Sequence, residues 1–404
     1  MTARPSVAIV TTYYRPVLGG AESAAEHLAT YLVRRGHEVL VVTKRTSTEH
    51  PREETRDGVR IIRTPPLGAR RASGKWFAIP WIVQALLRHR SHFRVICCVD
   101  FRGIGIAALI AGHWTGSPVI FHAQTEGALS GARLVTALGS VGVAPHGSLA
   151  RVATWPIRAV YGRARAILCI SRSIEREALA CGIPRDRVAY VPNPVDAARF
   201  TAVPSGERPA LRRSLGLPVD ATIAVYVGRL SREKGVMDLV EAWSGLNVPN
   251  TLLLVVGPDM TGNPWDVGPA ARALVADRGI GASVRFVGGQ PSESIAKWLQ
   301  CADLAVQPSH FEAFGMSAAE AMAVGLPVIA SDVGGLRDFV KGGVNGLLVP
   351  PHDPPALREA LRRLLTDAPL RQRLGQAAVA TGRSFDEHIV LEMFATRIDQ
   401  LAGL

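Results

Sequence analysis

Two glutamates, Glu312 and Glu320, stand with seven residues between them in the run HFEAFGMSAAEAMAVGLPVIASDVGG at residues 310–335. The first lies in a Gly-containing turn, the second about two turns into a helical pattern, and an apolar strand follows. Carboxylates accept hydrogen bonds from sugar hydroxyls. The backbone N–H groups of Phe314, Gly315 and Met316, at the expected helix start, suit an anion, because unpaired donors and the helix dipole favour negative charge there. The segment can therefore hold a ligand carrying both hydroxyls and phosphates. Glu320 also has a plainer reading, since an acid early in a helix is favoured by the dipole alone.

Four further groups can do complementary chemistry. In GRLSREKG at residues 228–235, Arg229 and Lys234 leave a strand end and enter a helix. Two cations there can neutralise a diphosphate, Arg in bidentate fashion and Lys as a point charge. Either one alone is most simply a solvated surface residue. Gly19 and Gly20 close the first strand–helix turn, where glycine lets backbone approach a phosphate, or simply makes a tight turn. No GxGxxG follows that strand, which disfavours a dinucleotide site. His122, in FHAQTE, ends the fifth expected strand, and Asp100 ends VICCVD. Carboxyl ends of parallel strands face the ligand in such folds, although a lone histidine is more often structural. No Asp-x-Asp occurs, so neutralising a diphosphate is expected to fall to Arg229, Lys234 and helix N-termini without a metal. No carboxylate stands out as a covalent nucleophile on the far face of a sugar.

The elements that must position these groups are legible as a rhythm. Apolar strand segments are expected at 7–11, 39–43, 59–63, 95–99, 119–121, 166–170 and 188–191. The rhythm restarts with 223–227, 252–256, 284–287, 304–307 and 328–330. Helical patterns fill many of the intervals, as at 21–35, 172–181, 236–244, 292–301 and 317–324. Alternation of this kind predicts parallel sheets covered by helices on both faces. The fold class expected is α/β, with two doubly wound, Rossmann-like domains facing a cleft. Domain one is expected to span 1–198 and domain two 199–384. A C-terminal helix at 385–404 is expected to pack back on the first.

Composition sets the bounds. A chain of 404 residues exceeds one ordinary core, and 48% apolar with 20% charged residues is globular. Cys97, Cys98, Cys169, Cys181 and Cys301 lack metal spacing, which fits free thiols in a reducing compartment. No leader or membrane span is read, since the most apolar stretch, 103–121, is broken by His113, Trp114, Gly116 and Pro118. Residues 1–200 carry 27 Lys and Arg against 13 Asp and Glu, while the remainder carries 19 against 21. The positive excess thus lies wholly in the first half and points to an anionic partner, beside a compositional contribution. Residues 70–94 interleave Trp76, Phe77, Trp81 and Leu86 with six basic residues, and residues 133–165 hold five Arg and no acid. Such segments suit an anionic membrane interface, or else a surface helix packing its apolar side on the sheet. They follow no nucleic-acid recognition module.

Taken together, GRLSREKG, Pro258, Asp303, the Glu312–Glu320 pair with Gly334-Gly335, and the N-terminal PVLGGAE at residues 16–22 resemble glycosyltransferase family 4. These are retaining, nucleotide-sugar-dependent enzymes of GT-B fold. The resemblance covers nearly the whole chain, strongest at 188–350 and weakest at 44–160. It implies that Arg229 and Lys234 hold the donor pyrophosphate. By the same likeness Glu312 takes the sugar ring, Glu320 the ribose diol, and His122 contacts the transferred sugar. Gly19, Gly20, Phe314, Gly315 and Met316 complete the donor contacts, with Asp100 toward the acceptor.

The expected activity is transfer of a hexose-type sugar from a nucleoside diphosphate to a hydroxyl acceptor, with retention. Front-face transfer, in which the leaving phosphate helps deprotonate the acceptor, fits the missing nucleophile. The acceptor expected is a lipid-linked or membrane-proximal intermediate of cell-envelope polysaccharide, exopolysaccharide or glycolipid synthesis. The protein is then cytoplasmic, with peripheral contact on the inner membrane face and no nucleic-acid partner. Rival readings are a sugar-nucleotide epimerase or hydrolase on the same fold, and a non-catalytic membrane-binding protein.

Overall fold

Near-continuous apolar runs such as VAIV, VICCV and TIAVYV cannot leave one face in water, and in the computed structural model they form the centres of two sheets. The structure describes residues 4–16, 20–68, 76–99, 101–131, 148–204 and 206–403. The chain divides into two compact units, residues 1–192 with 390–404, and residues 193–389.

In the first unit the strands are β1 (Val7–Val10), β2 (Val39–Lys44), β3 (Glu53–Arg56), β4 (Val59–Thr64), β5 (Val95–Val99), β6 (Val119–Ala123), β7 (Ala166–Cys169) and β8 (Val188–Tyr190). Their order across the sheet is β3-β4-β2-β1-β5-β6-β7-β8. All pairings are parallel except β3 with β4. That hairpin turns on Asp57 and Gly58, both at positive φ (52° and 77°), as a tight two-residue connection requires. β3 is not among the expected strands, because EETR offers no apolar residue to bury.

The last helix, Glu387–Ala402, contributes Val390, Leu391, Phe394, Ala395 and Ile398 to the first unit's core. Polar contacts fasten it from outside. Tyr31 Oη donates to Glu392 at 2.7 Å, and Arg35 pairs with Glu392 at 2.7 Å and Asp399 at 3.1 Å.

The second unit holds β9 (Thr222–Val227), β10 (Thr251–Val256), β11 (Val284–Gly288), β12 (Leu304–Gln307), β13 (Val328–Ser331) and β14 (Gly346–Val349), ordered β11-β10-β9-β12-β13-β14 and parallel throughout. The chain runs outward from β9 to β11, then returns to lay β12 beside β9. That junction is the topological switch point, where crevices open at strand ends. Leu239, Leu253, Leu304, Leu361 and Leu364 are fully buried in its core. Truncating one of them to alanine costs about 2–5 kcal/mol. Asp353 and Asp367 start successive helices by accepting from Ala356 N (2.9 Å) and Leu370 N (2.8 Å), each with a proline in the first turn.

The boundary falls at 192/193, six residues before the expected one. Val195 exchanges backbone hydrogen bonds with Phe385 (2.7 Å) and Glu387 (2.9 Å), which draws residues 193–198 into the second unit.

Candidate active site

The loops that follow β9 and β12, the strands flanking the switch point of the second unit, carry Arg229, Lys234 and Glu312. After β9, Tyr226 Oη donates to Arg229 O at 2.8 Å and shapes the turn from inside. Burial pushes the Tyr226 phenol well above its ordinary range, so the hydroxyl stays a donor. A short turn, Arg232–Lys234, follows and ends at Gly235, at φ 68°. A Cβ on Gly235 would collide with Pro308 O, so only glycine lets this loop lie against the one after β12. Arg229 is exposed and pairs with Glu233 at 2.9 Å.

The loop after β12 carries Glu312, and Lys234 Nζ meets its Oε2 at 2.6 Å. Behind the pair, buried Gln307 donates to Ser309 Oγ at 2.8 Å, and Ser309 Oγ donates to Glu312 Oε2 at 3.3 Å. This chain of hydrogen bonds fixes the orientation of the carboxylate. Gln307 and Ser309 are not among the residues that the sequence singles out, although polar residues closing an apolar strand are a usable signal.

A third loop, after β13, clamps the glutamate's backbone. Gly335 N donates to Glu312 O at 3.0 Å. Gly334 adopts φ 44°, and a Cβ there would collide with the same oxygen. Phe314 is buried against Phe339 and Phe385, which anchors the far side of the loop. Gly315, at φ 107°, precedes the helix Met316–Val324.

Phe314, Gly315 and Met316 therefore do surround this helix start. Glu320 is the fifth residue of the helix, one turn in and not two, since the helix opens at Met316 and not nearer to Glu312. Its half-buried carboxyl is pushed up to about 7 by desolvation, with the Arg199 guanidinium acting in the opposite direction. Asp303 is structural: it accepts from Arg212 (2.7 Å) and Ile223 N (2.7 Å) and ties β12 to β9. Pro258 O accepts from Leu230 N at 3.0 Å and holds the loop after β9 to the one after β10.

In the first unit His122 is the penultimate residue of β6, near the strand's carboxyl end as expected from its place in the run. It is 4% exposed, packs edge-to-face on Phe394 at 5.0 Å, and lies 3.0 Å from Gln124 Nε2 through Nδ1. Burial holds the imidazole down at about 4, so it is neutral at pH 7. Beyond it, Glu177 accepts from Gly127 N, Leu129 N, Ser130 N and Ser130 Oγ at 2.7–3.0 Å and so orders the segment that follows. Gly20 opens the helix Gly20–Arg34. Gly19 and Asp100 lie outside the described residues, as do 70–75 and 133–147 of the basic segments.

Among the described residues, one group has the donor set for a metal ion: Asp238, His310 and His352. No described helix is long and apolar enough to cross a membrane.

Comparison with known proteins bears on this arrangement directly. Residues 207–381 match the model for glycosyl transferases group 1, and residues 19–194 that for the glycosyl transferase 4-like domain. The D-inositol 3-phosphate glycosyltransferase of Xylanimonas cellulosilytica is 32% identical over 408 residues, covering 95% of this chain and 94% of that protein. Sucrose-phosphate synthase of Thermosynechococcus elongatus is similar in structure, with a TM-score of 0.82 at 26% identity over 99% of this chain and 100% of that one. HepE of Anabaena, solved in complex with UDP-glucose, gives a TM-score of 0.75 at 19% identity over 97% and 99% of the two chains, a likeness of fold.

Proposed function

The chain belongs to the group 1 glycosyltransferases of family 4, with the GT-B fold, and from that premise we propose that it moves a hexose-type sugar from a nucleoside diphosphate to a hydroxyl acceptor, with retention at the anomeric carbon. The observation that carries this reading is the Lys234–Glu312 pair at the β9/β12 junction. Each half-buried charge is satisfied by the other until a ligand offers both a phosphate and hydroxyls. A nucleotide sugar does so: its diphosphate takes Lys234 and Arg229, and its sugar hydroxyls donate to Glu312. Donors and charges placed in advance for a developing negative charge are the main source of catalysis in such sites.

Glu320 accepts from the ribose diol on this reading, and neutral His122 contacts the transferred sugar. The departing phosphate, held by the two cations, takes the proton of the attacking hydroxyl on the same face of the sugar. Stabilising that charge falls to Arg229, Lys234 and the helix at Met316. The epimerase and hydrolase readings gain no support from the relatives.

The acceptor is a hydroxyl compound bearing phosphate, consistent with the basic first half of the chain. A lipid-linked acceptor is supported by exposed aromatics. Trp76 and Phe77 precede the helix Ile79–Arg88, Trp81 lies on it, and Trp114 lies on the neighbouring helix Gly105–Thr115. A soluble inositol phosphate is supported by what the relatives are named for.

A thermal-shift screen of UDP-, GDP- and ADP-sugars tests the donor, since ligand at 100 times Kd adds about 2.7 kcal/mol of stability. Incubation with the donor found and each acceptor class follows, reading the anomeric configuration of the product by NMR. Transfer to lipid in anionic vesicles, or to inositol phosphate in solution, decides between the two acceptors. Donor stabilisation without acceptor-dependent transfer overturns the transferase reading.

A further inference from the structure

We propose that Asp238, His310 and His352 bind one transition-metal ion of the zinc class, on segments adjoining the two that carry the Lys234–Glu312 pair. The three residues come from three separate places in the second unit: the helix Val236–Ser244, the loop after β12 and the turn after β14. His310 Nε2 lies 2.8 Å from Asp238 Oδ2. The imidazoles of His310 and His352 stack with centroids 3.6 Å apart at 36°. One ligand atom from each residue lies within 4.8 Å of the other two. Zinc binds imidazole nitrogen and carboxylate oxygen at about 2.0–2.2 Å, which places donors on one tetrahedral ion about 3.4 Å apart, so the three side chains must draw together on binding.

The framework is set independently of any ion. His310 N donates to Glu233 O at 2.8 Å, which fixes its backbone against the loop after β9. His352 is held at φ 59°, a left-handed conformation that non-glycine residues adopt at a cost. The next residue, Asp353, caps the following helix and keeps that turn in place. Two imidazoles and one carboxylate suit zinc and its borderline neighbours, with water in the fourth position. Magnesium and calcium prefer all-oxygen shells. His352 is exposed, which leaves a path from solvent.

The position gives the site a consequence. His310 is two residues before Glu312, and Asp238 is four after Lys234. An ion joining them fastens together the two loops that carry the pair, and so changes how readily the pair yields to a donor. That coupling rests on the donor reading above; the metal site does not.

The test uses the full chain without an affinity tag, stripped with chelator. Zn2+ is titrated by calorimetry, and Co2+ by its visible spectrum, for the parent, His352→Ala and Asp238→Asn. One ion per chain, a four-coordinate Co2+ spectrum, and loss of both in the two variants are expected, with folding checked by circular dichroism. Absence of stoichiometric binding in the parent, or undiminished binding in the variants, overturns the site. Sugar-donor turnover is then measured with and without Zn2+. A change in the donor KM that disappears in His352→Ala is expected, and equal KM values overturn the coupling while leaving the metal site standing.

Discussion

Lys234 Nζ and Glu312 Oε2 lie 2.6 Å apart although the two residues are 78 positions apart in the chain. Their side chains are 18% and 12% exposed, so neither charge is freely solvated. Lys234→Met strands the glutamate and Glu312→Gln strands the lysine; each lowers stability by about 3–5 kcal/mol, since removing one partner leaves an uncompensated charge. The double variant recovers part of the loss, giving a coupling of about 1–3 kcal/mol in urea unfolding. Strictly additive losses would show that the two groups are solvated independently.

The Glu320 carboxyl titrates near 7 in the folded chain, against an ordinary value of 4.5. Between those values the folded state binds more protons than the unfolded state. Stability contributed here is therefore present at low pH and lost as pH rises from about 4.5 through 7. Glu320→Gln removes this dependence, and its stability relative to the parent improves by about 1–3 kcal/mol between pH 5 and pH 8. Donor affinity moves the other way on the proposed reading. The ionised carboxylate accepts the diol hydroxyls, so the parent's donor Kd weakens below pH 7 while that of Glu320→Gln stays flat.

His122 behaves oppositely. Its folded value of about 4 lies below the ordinary 6.5, so the folded state binds fewer protons. Its stabilising contribution is complete above 6.5 and lost as pH falls toward 4, by about 3 kcal/mol. A proton NMR titration of the ring is expected to show neutral imidazole down to about pH 5. Phe394→Ala removes the ring packed on it, raises the titration toward 6.5 and costs about 3–5 kcal/mol. A His122 that titrates near 6.5 in the parent would contradict the burial argument.

Gly334 and Gly235 hold the loops of the site together by having no side chain. Gly334→Ala places a methyl on Glu312 O, and Gly235→Ala places one on Pro308 O. Both glycines also sit at positive φ, so substitution is strained twice over. Each variant is expected to lose about 1–3 kcal/mol of stability and to raise the donor KM by at least about tenfold. Gly342→Ala serves as the control, because a Cβ there meets nothing. Equal effects at all three positions would show that close approach is not what matters.

Much of this arrangement is legible in the order of the amino acids alone. The apolar runs name twelve strands, and the switch-point rule places Arg229, Lys234 and Glu312 at strand ends. What escapes has local causes. The strand Glu53–Arg56 carries no apolar residue, and β14 is a short run, GLLV, between glycines and prolines. The turn at Asp57-Gly58 is a readable hairpin signal all the same. Other features depend on distant contacts: His122 under Phe394, Gln307 and Ser309 behind Glu312, and His310 stacked on His352. Residue spacing within a single element carries no trace of such pairs. Glu320 lies only one turn into its helix, because the residues from Glu312 to Gly315 form a turn and contribute no helical residue.

The central claim is that Arg229 and Lys234 hold a nucleoside diphosphate as it leaves a sugar. Acceptor-dependent release of nucleoside diphosphate, measured as kcat/KM for the parent and for Arg229→Ala with Lys234→Ala, tests it most directly. A fall on the order of a thousandfold in a variant that still folds is the expected result. Undiminished kcat/KM in that variant would contradict the account.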